Sequence, residues 1–248
     1  MLIDLNADIG EGYPFDLALI PLISSANISC GAHAGSVAQI QQAIAACKEQ
    51  QVAIGAHPSY PDRVNFGRIE MPFNSQELKE ILHLQLNWFA KEAQALGAAV
   101  CHVKTHGALY NQSAVDAAVA KVVAEVCKAH FPTAALVTLP HSIQAKIAQD
   151  AGLRVKVEAF ADRGYLANGC LVPRNQAGAL LSVTEAIRQV MCIVQHQRLQ
   201  CQDGQSLAIN ADTICLHGDS KEALQLAQEL NQQLKFAGIT IKKLGVTQ

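Results

Sequence analysis

The run VCHVKTHGALYN, residues 100–111, constrains this chain more than any other stretch. It begins with an alternation in which Val100, His102, Lys104 and His106 interleave with Cys101, Val103 and Thr105. Successive side chains of a strand point to opposite faces. Two imidazoles and an ammonium therefore share one face, and Gly107 opens the turn beyond them. A strand buried on both faces would carry Val, Ile or Leu there, because an unpaired buried Lys is very costly. That face either lines a site or meets acidic groups from elsewhere in the chain. The plain alternative is an edge strand with one solvated face.

Other segments repeat the pattern. In MLIDLNADIGEG, Asp4, Asn6 and Asp8 alternate with Ile3, Leu5 and Ala7. In RVKVEAFADRGY, Lys156, Glu158 and Phe160 oppose Val155, Val157 and Ala159. Five further strand signals are SANISCGAHAGS, VAIGAHPSYPD, ALVTLPHS, TICLHGD and ITIKKL. Helical stretches separate them, with start signals at Ser36, at Asn74 with Glu77, and at Ser182 with Glu185. One helix is expected from about Ser113 to His130, and another from near Asp219 and Glu222 to Gly238. Strands alternating with helices argue for a parallel α/β fold. A doubly wound open sheet would read as continuous hydrophobics. A closed barrel keeps one strand face under helices and turns the other inward, toward a polar mouth. The expectation is a TIM-like (β/α) barrel of seven or eight parallel strands, as one domain over residues 1–248, with its site at the strands' C-terminal ends.

Composition removes other classes. Half of the 248 residues are hydrophobic and 16% are charged, with a formal net charge of −2. No basic block marks nucleic-acid binding. Asp4 and Asp8 interrupt the apolar start, so a signal peptide is not expected. The eight cysteines form no C-x-x-C pair and read as reduced thiols of a cytoplasmic protein. Cys30, before Gly31, stands where a nucleophile could stand, but a small buried residue is the simpler reading.

IDLNADIGE, NISCGAHAG, GAHPSYPD with FGR, HVKTHGALYN, EAFADRGY and ADTICLHGD, in that order, resemble the LamB/YcsF family. The resemblance implies a barrel related to the glycoside hydrolase/deacetylase barrel. It also implies the role of the A subunit in an ATP-hydrolysing 5-oxoprolinase. That enzyme opens 5-oxoproline (pyroglutamate) to L-glutamate and includes partner subunits B and C.

Opening a lactam by way of ATP needs cations near phosphates, a base for water and an acid for the leaving nitrogen. Lys104 and Arg163 could hold phosphate or a substrate carboxylate. His57 and His106 could move protons near neutral pH. Asp8 and Glu158 could act as base or hold Mg²⁺. A structural salt bridge of Glu158 or Asp162 with Lys104 or Arg163 competes with those roles. The catalytic set expected is Asp8, His57, Lys104, His106 and Glu158. Asn6, Asn27, His33, His102, Tyr110, Asn111, Asp162, Arg163 and His217 are expected to bind substrate or phosphate. The chain has no G-x-x-x-x-G-K-[ST] loop. Gly10, Gly12, Gly31 and Gly35 could present amides to phosphates or serve only as turn glycines. Two other readings remain open. One is a metal-dependent amidohydrolase or deacetylase without ATP, its ion on Asp8, His102 and His106. On a straight strand those histidines would lie roughly 13 Å apart, so the chain must curl before His106. The other is a non-enzymatic subunit that carries a small acid.

Overall fold

The computed structural model describes residues 1–218 and 222–245. Its elements, in chain order, are β1 (Leu2–Ile9), α1 (Asp16–Leu19), β2 (Ser25–Ser29), α2 (Val37–Glu49), β3 (Ala53–His57) and α3 (Ser75–Ala95). There follow β4 (Val100–Val103), α4 (Gly107–Val115), α5 (Ala117–His130), β5 (Ala135–Thr138), α6 (Ile143–Asp150) and β6 (Arg154–Phe160). The chain ends with α7 (Val183–His196), β7 (Arg198–Gln200), β8 (Ser206–Ala208), β9 (Thr213–Leu216), α8 (Ala223–Phe236) and β10 (Thr240–Ile241). Strands β1 to β6 pair in order, all parallel, and β9 pairs with both β6 and β1. A sheet closed in this way has no free edge.

The barrel therefore has seven strands. ITIKKL does form a strand, but β10 is two residues long and extends the outer start of β1, pairing Leu2 with Thr240. The hairpin β7–β8 stands outside the barrel. The helix expected from Ser113 is two helices, because Asp116 leaves helical geometry at φ −108° and caps α5 through Ala118 and Val119 N–H. The capping signals at Ser36, Asn74 and Ser182 all form. Glu222 precedes α8, whereas Asp219 lies outside the described residues.

Outward-facing residues such as Ile3, Leu5, Ala7 and Ile9 pack under the helices in one apolar core. The inward faces of β1, β2, β4, β6 and β9 carry polar residues well below the mouth, which is more than a polar rim. At the bottom, Asp4 accepts hydrogen bonds from Ser24 (2.7 Å), Ser25 (2.6 Å) and Thr213. Above it, Asn6 donates to Thr213 (2.6 Å) and to Glu158 (2.9 Å), and Asn27 donates to Asn6 (2.7 Å) and Asp8 (2.9 Å). A column of hydrogen bonds thus replaces the apolar filling usual in small barrels. Gly55 makes room for it, since a Cβ there would lie 2.1 Å from His102 Nε2.

Asp4 gives the column a pH dependence. Burial raises its pKa to about 6, against the hydrogen bonds that lower it. With a folded pKa above the unfolded one, its favourable contribution is complete below the unfolded pKa and disappears as pH rises through the folded pKa. Asp4→Asn should remove this dependence. From pH 4 to pH 7 the variant should gain on the parent by about 2 kcal/mol, somewhat less than the full equivalent of the shift from 3.8 to about 6 because the unfolded carboxyl is already partly ionised at pH 4. Chemical denaturation of both proteins at the two pH values measures it, and a difference independent of pH contradicts the assignment.

Candidate active site

The column opens into a cavity of about 430 Å³ at the C-terminal ends of the strands. Asp8, His57, Lys104, His106, Tyr110, Asn111, Arg163 and His217 all line it. Strand alternation ends sooner than the sequence suggests, because β4 stops at Val103. Lys104 N–H still donates to Ala56 O (3.0 Å) and His106 N–H to Pro58 O (2.8 Å), so the backbone stays tied to β3. Helix α4 then starts at Gly107, whose φ is +57° and whose Cβ, if present, would lie 2.4 Å from Gly67 O. Only glycine combines that conformation with so close an approach. The turn brings the loop holding Phe66 and Arg68 over His106.

Lys104 lies at the junction of column and cavity. Its Nζ is 3.2 Å from Asp8 Oδ1, 3.0 Å from Glu158 Oε1, 3.0 Å from Cys215 Sγ and 3.5 Å from Asn6 Oδ1. Burial would lower its pKa, but Asp8, Cys215 and Glu158 hold it well above the usual lysine value. Burial would likewise raise Asp8, and His57 and Lys104 outweigh it, so the carboxylate stays ionised. The ammonium is compensated without any ligand. The two-carboxylate Mg²⁺ site does not fit this arrangement, because Asp8 and Glu158 share a lysine and Glu158 has no exposure.

The imidazoles gather around Glu11. His33 Nε2 lies 2.9 Å from Glu11 Oε1, His106 Nδ1 lies 3.4 Å and His57 Nε2 lies 3.9 Å from the same oxygen. His57 Nε2 and His106 Nδ1 are 2.9 Å apart, and Asp8 Oδ2 is 3.4 Å from His57 Nε2. The rings of His33 and His106 stack at 3.9 Å. Burial and neighbouring imidazoles lower the pKa of His33 to about 2 and that of His106 well below the usual value.

His102 does not join this group. It is fully buried, donates from Nε2 to Asn27 Oδ1 (2.9 Å) and has its pKa lowered to about 3 by burial and Lys104. The set Asp8, His102 and His106 is therefore not a metal site. The chain does curl before His106, but that curl separates the two histidines. Asn6, Asn27 and Glu158 also belong to the column beneath the cavity, and His33 stands behind His106. A second donor group, Asp8, Cys215 and His217, has the Lys104 ammonium against two of its members, a poor place for another cation.

The cavity walls are cationic. Arg68, Arg163 and Arg174 line them. Arg163 donates from Nε to Ala179 O (2.9 Å) and from Nη2 to Val172 O (2.6 Å), bracing the rim loop. Burial and Arg174 lower its pKa to about 10. The salt bridge considered for Asp162 is made instead to His217 Nδ1, at 2.8 Å, and His217 stacks on Phe160. Below Tyr110, at the base of the cavity, lies Glu158; burial and this carboxylate raise the Tyr110 pKa well above the usual value.

Sequence reasoning did not select Glu11, Arg68, Arg174 or Cys215. Glu11, an acid between two glycines at the end of the first strand, was the most visible of them. The loop glycines read as turn glycines. Glu11 and Gly12 N–H donate to Asp16 Oδ2, Gly31 N–H donates to Ser29 Oγ, and a Cβ on Gly35 would lie 2.1 Å from Gly10 O. Cys30 packs in the apolar core, where burial raises its thiol pKa, in keeping with a small structural residue.

The model of the LamB/YcsF family matches residues 3–248. A Haemophilus influenzae (strain PittEE) protein, named as the A subunit of 5-oxoprolinase, is 45% identical over 240 residues, covering 96% of this chain and 98% of that one. The crystal structure of a lactam utilization protein from Thermus thermophilus is 37% identical, with a TM-score of 0.91 over 98% of this chain and 100% of that one. A T48 deacetylase with substrate, 11% identical, superposes with a TM-score of 0.51 over 98% of this chain and 87% of that one, a likeness of fold alone.

Proposed function

This chain belongs to the LamB/YcsF family, and we propose that it is the A subunit of a 5-oxoprolinase, opening 5-oxoproline to L-glutamate with hydrolysis of ATP. The observation that carries this reading is the cavity itself. It sets an ionised carboxylate and two imidazoles on its floor against three arginines on its walls. That arrangement suits a small cyclic amide bearing a carboxylate. The arginines supply positive charge for the carboxylate or a phosphoryl group. The amide faces Asp8 and His57.

The equilibrium of this lactam favours the ring, so coupling to ATP is chemically reasonable. Transfer of the γ-phosphoryl group to the amide oxygen releases ADP and makes the ring carbon electrophilic. Water adds to that carbon, and the C–N bond breaks as the nitrogen takes up a proton. A second water then releases phosphate from the resulting acyl phosphate. In this scheme the floor formed by Asp8, His57 and His106 activates the water, and the arginines stabilise phosphoryl charge. Tyr110 and Asn111, at the start of α4, position the ring. No described helix is long and apolar enough to cross a membrane, and the reading places the protein in the cytoplasm with chains B and C.

Glutamate release from 5-oxoproline with ATP is the test, run on this chain alone and with candidate B and C chains. Turnover is expected only in the mixture. Enzyme-like turnover by the isolated chain would contradict the need for partners. A reconstituted mixture that binds but never turns over, with cavity variants behaving as the parent does, would favour the carrier reading.

A further inference from the structure

The Glu11 cluster holds more lone pairs than protons. His57 Nδ1 lies 2.7 Å from Lys104 O, and His106 Nε2 lies 2.9 Å from Phe66 O. A backbone carbonyl can only accept, so both of these outer nitrogens carry hydrogen. In neutral rings the inner nitrogens, His57 Nε2 and His106 Nδ1, are then bare, and they face one another at 2.9 Å. Glu11 Oε1, which accepts from His33 Nε2 at 2.9 Å, lies 3.4 Å from His106 Nδ1. Two bare imidazole nitrogens facing each other in a buried place need a cation between them.

We propose that this cluster is a binding site for a first-row divalent transition ion, held by Glu11, His57 and His106, with the fourth position open to the cavity. One donor atom from each lies within 4.8 Å of the other two, and the His57 and His106 rings stand nearly perpendicular, so that both can point at one ion. Tetrahedral coordination at about 2.0–2.1 Å requires donors roughly 3.3 Å apart. The separations of 2.9 Å (His57–His106), 3.4 Å (His106–Glu11) and 3.9 Å (His57–Glu11) bracket that value. The outer N–H groups of His57 and His106 are fixed by backbone carbonyls, the usual support of metal-bound imidazole. His33 stacks parallel on His106 and donates from Nε2 to Glu11 Oε1 (2.9 Å), so it holds the carboxylate in place rather than meeting the ion. Two imidazoles and one carboxylate favour Zn²⁺ and its neighbours over Mg²⁺ or Ca²⁺. His57 and His106 also line the cavity, so the ion would meet water there and make it a stronger nucleophile. The site does not depend on which amide the cavity takes.

The test uses the full chain, purified without chelator and without a polyhistidine tag. Elemental analysis after dialysis against Zn²⁺ should find about one equivalent per chain. Replacement by Co²⁺ should give the intense visible bands of a tetrahedral site. The double variant Glu11→Gln/His106→Gln should bind Zn²⁺ at least about a hundredfold more weakly, while His83→Gln, on α3, should bind as the parent does. Should the double variant fail to fold, the Co²⁺ spectrum and a Zn²⁺-dependent rise in the parent's melting temperature still decide the matter. A parent chain that takes up neither Zn²⁺ nor Co²⁺ would overturn the proposal and leave a shared proton as the cation. Unchanged Zn²⁺ binding by the folded double variant would overturn it equally.

Discussion

Lys104→Met should destabilise the protein by about 3–5 kcal/mol, the usual cost of removing one partner from a buried ion pair. For a chain of this size that corresponds to a melting temperature lower by roughly 6–20 °C. Methionine keeps most of the side-chain volume, so the loss comes from charge. Asp8 and Glu158 are then left facing each other with only Asn6 and Asn27 between them. Adding Glu158→Gln removes one of the two carboxylates. The double variant should therefore recover part of the loss, and a double-mutant cycle measures the coupling. Additive effects, or a melting temperature like the parent's, would mean that the ammonium is not the counter-ion the geometry makes it. Lys104 thus acts first as the clamp that keeps Asp8 ionised at the cavity floor. The role of anion binder, expected from the sequence for Lys104, is proposed instead for the arginines on the walls.

The other large effect is expected at His57. His57→Gln should lower ATP-dependent glutamate release in the assembled enzyme by roughly 10²–10⁴-fold, the range for losing a group that activates water, whether by taking its proton or by holding an ion beside it. The amide keeps similar size and can still bond to Lys104 O, so folding should survive. His83→Gln is the control, since His83 pairs with His130 on the outer helices at 2.8 Å. Turnover and melting temperature measured on the same preparations separate chemistry from stability. A His57→Gln enzyme that turns over as the parent does would remove the imidazole cluster from the mechanism.

Alternation is what the order of residues settles alone. Period two along β1, β4 and β6 set polar residues on one face and apolar residues on the other, and that pattern excludes a sheet covered on both sides. The same pattern placed Asp8, Lys104 and Glu158 inward, and the structure joins them through Lys104. Closure was decided only in three dimensions. Whether β9 or β10 meets β1 depends on twist and register, which are properties of the whole sheet. The division between column and cavity was decided there too. His102 and His106 look equivalent in sequence, but the strand ends between them, so one is sealed over Gly55 while the other turns into the mouth. Glu11, Arg68 and Arg174 were hidden for the same reason. They lie on loops, where no periodicity fixes the direction of a side chain, and only the packing of each loop on its neighbours aims it at the site.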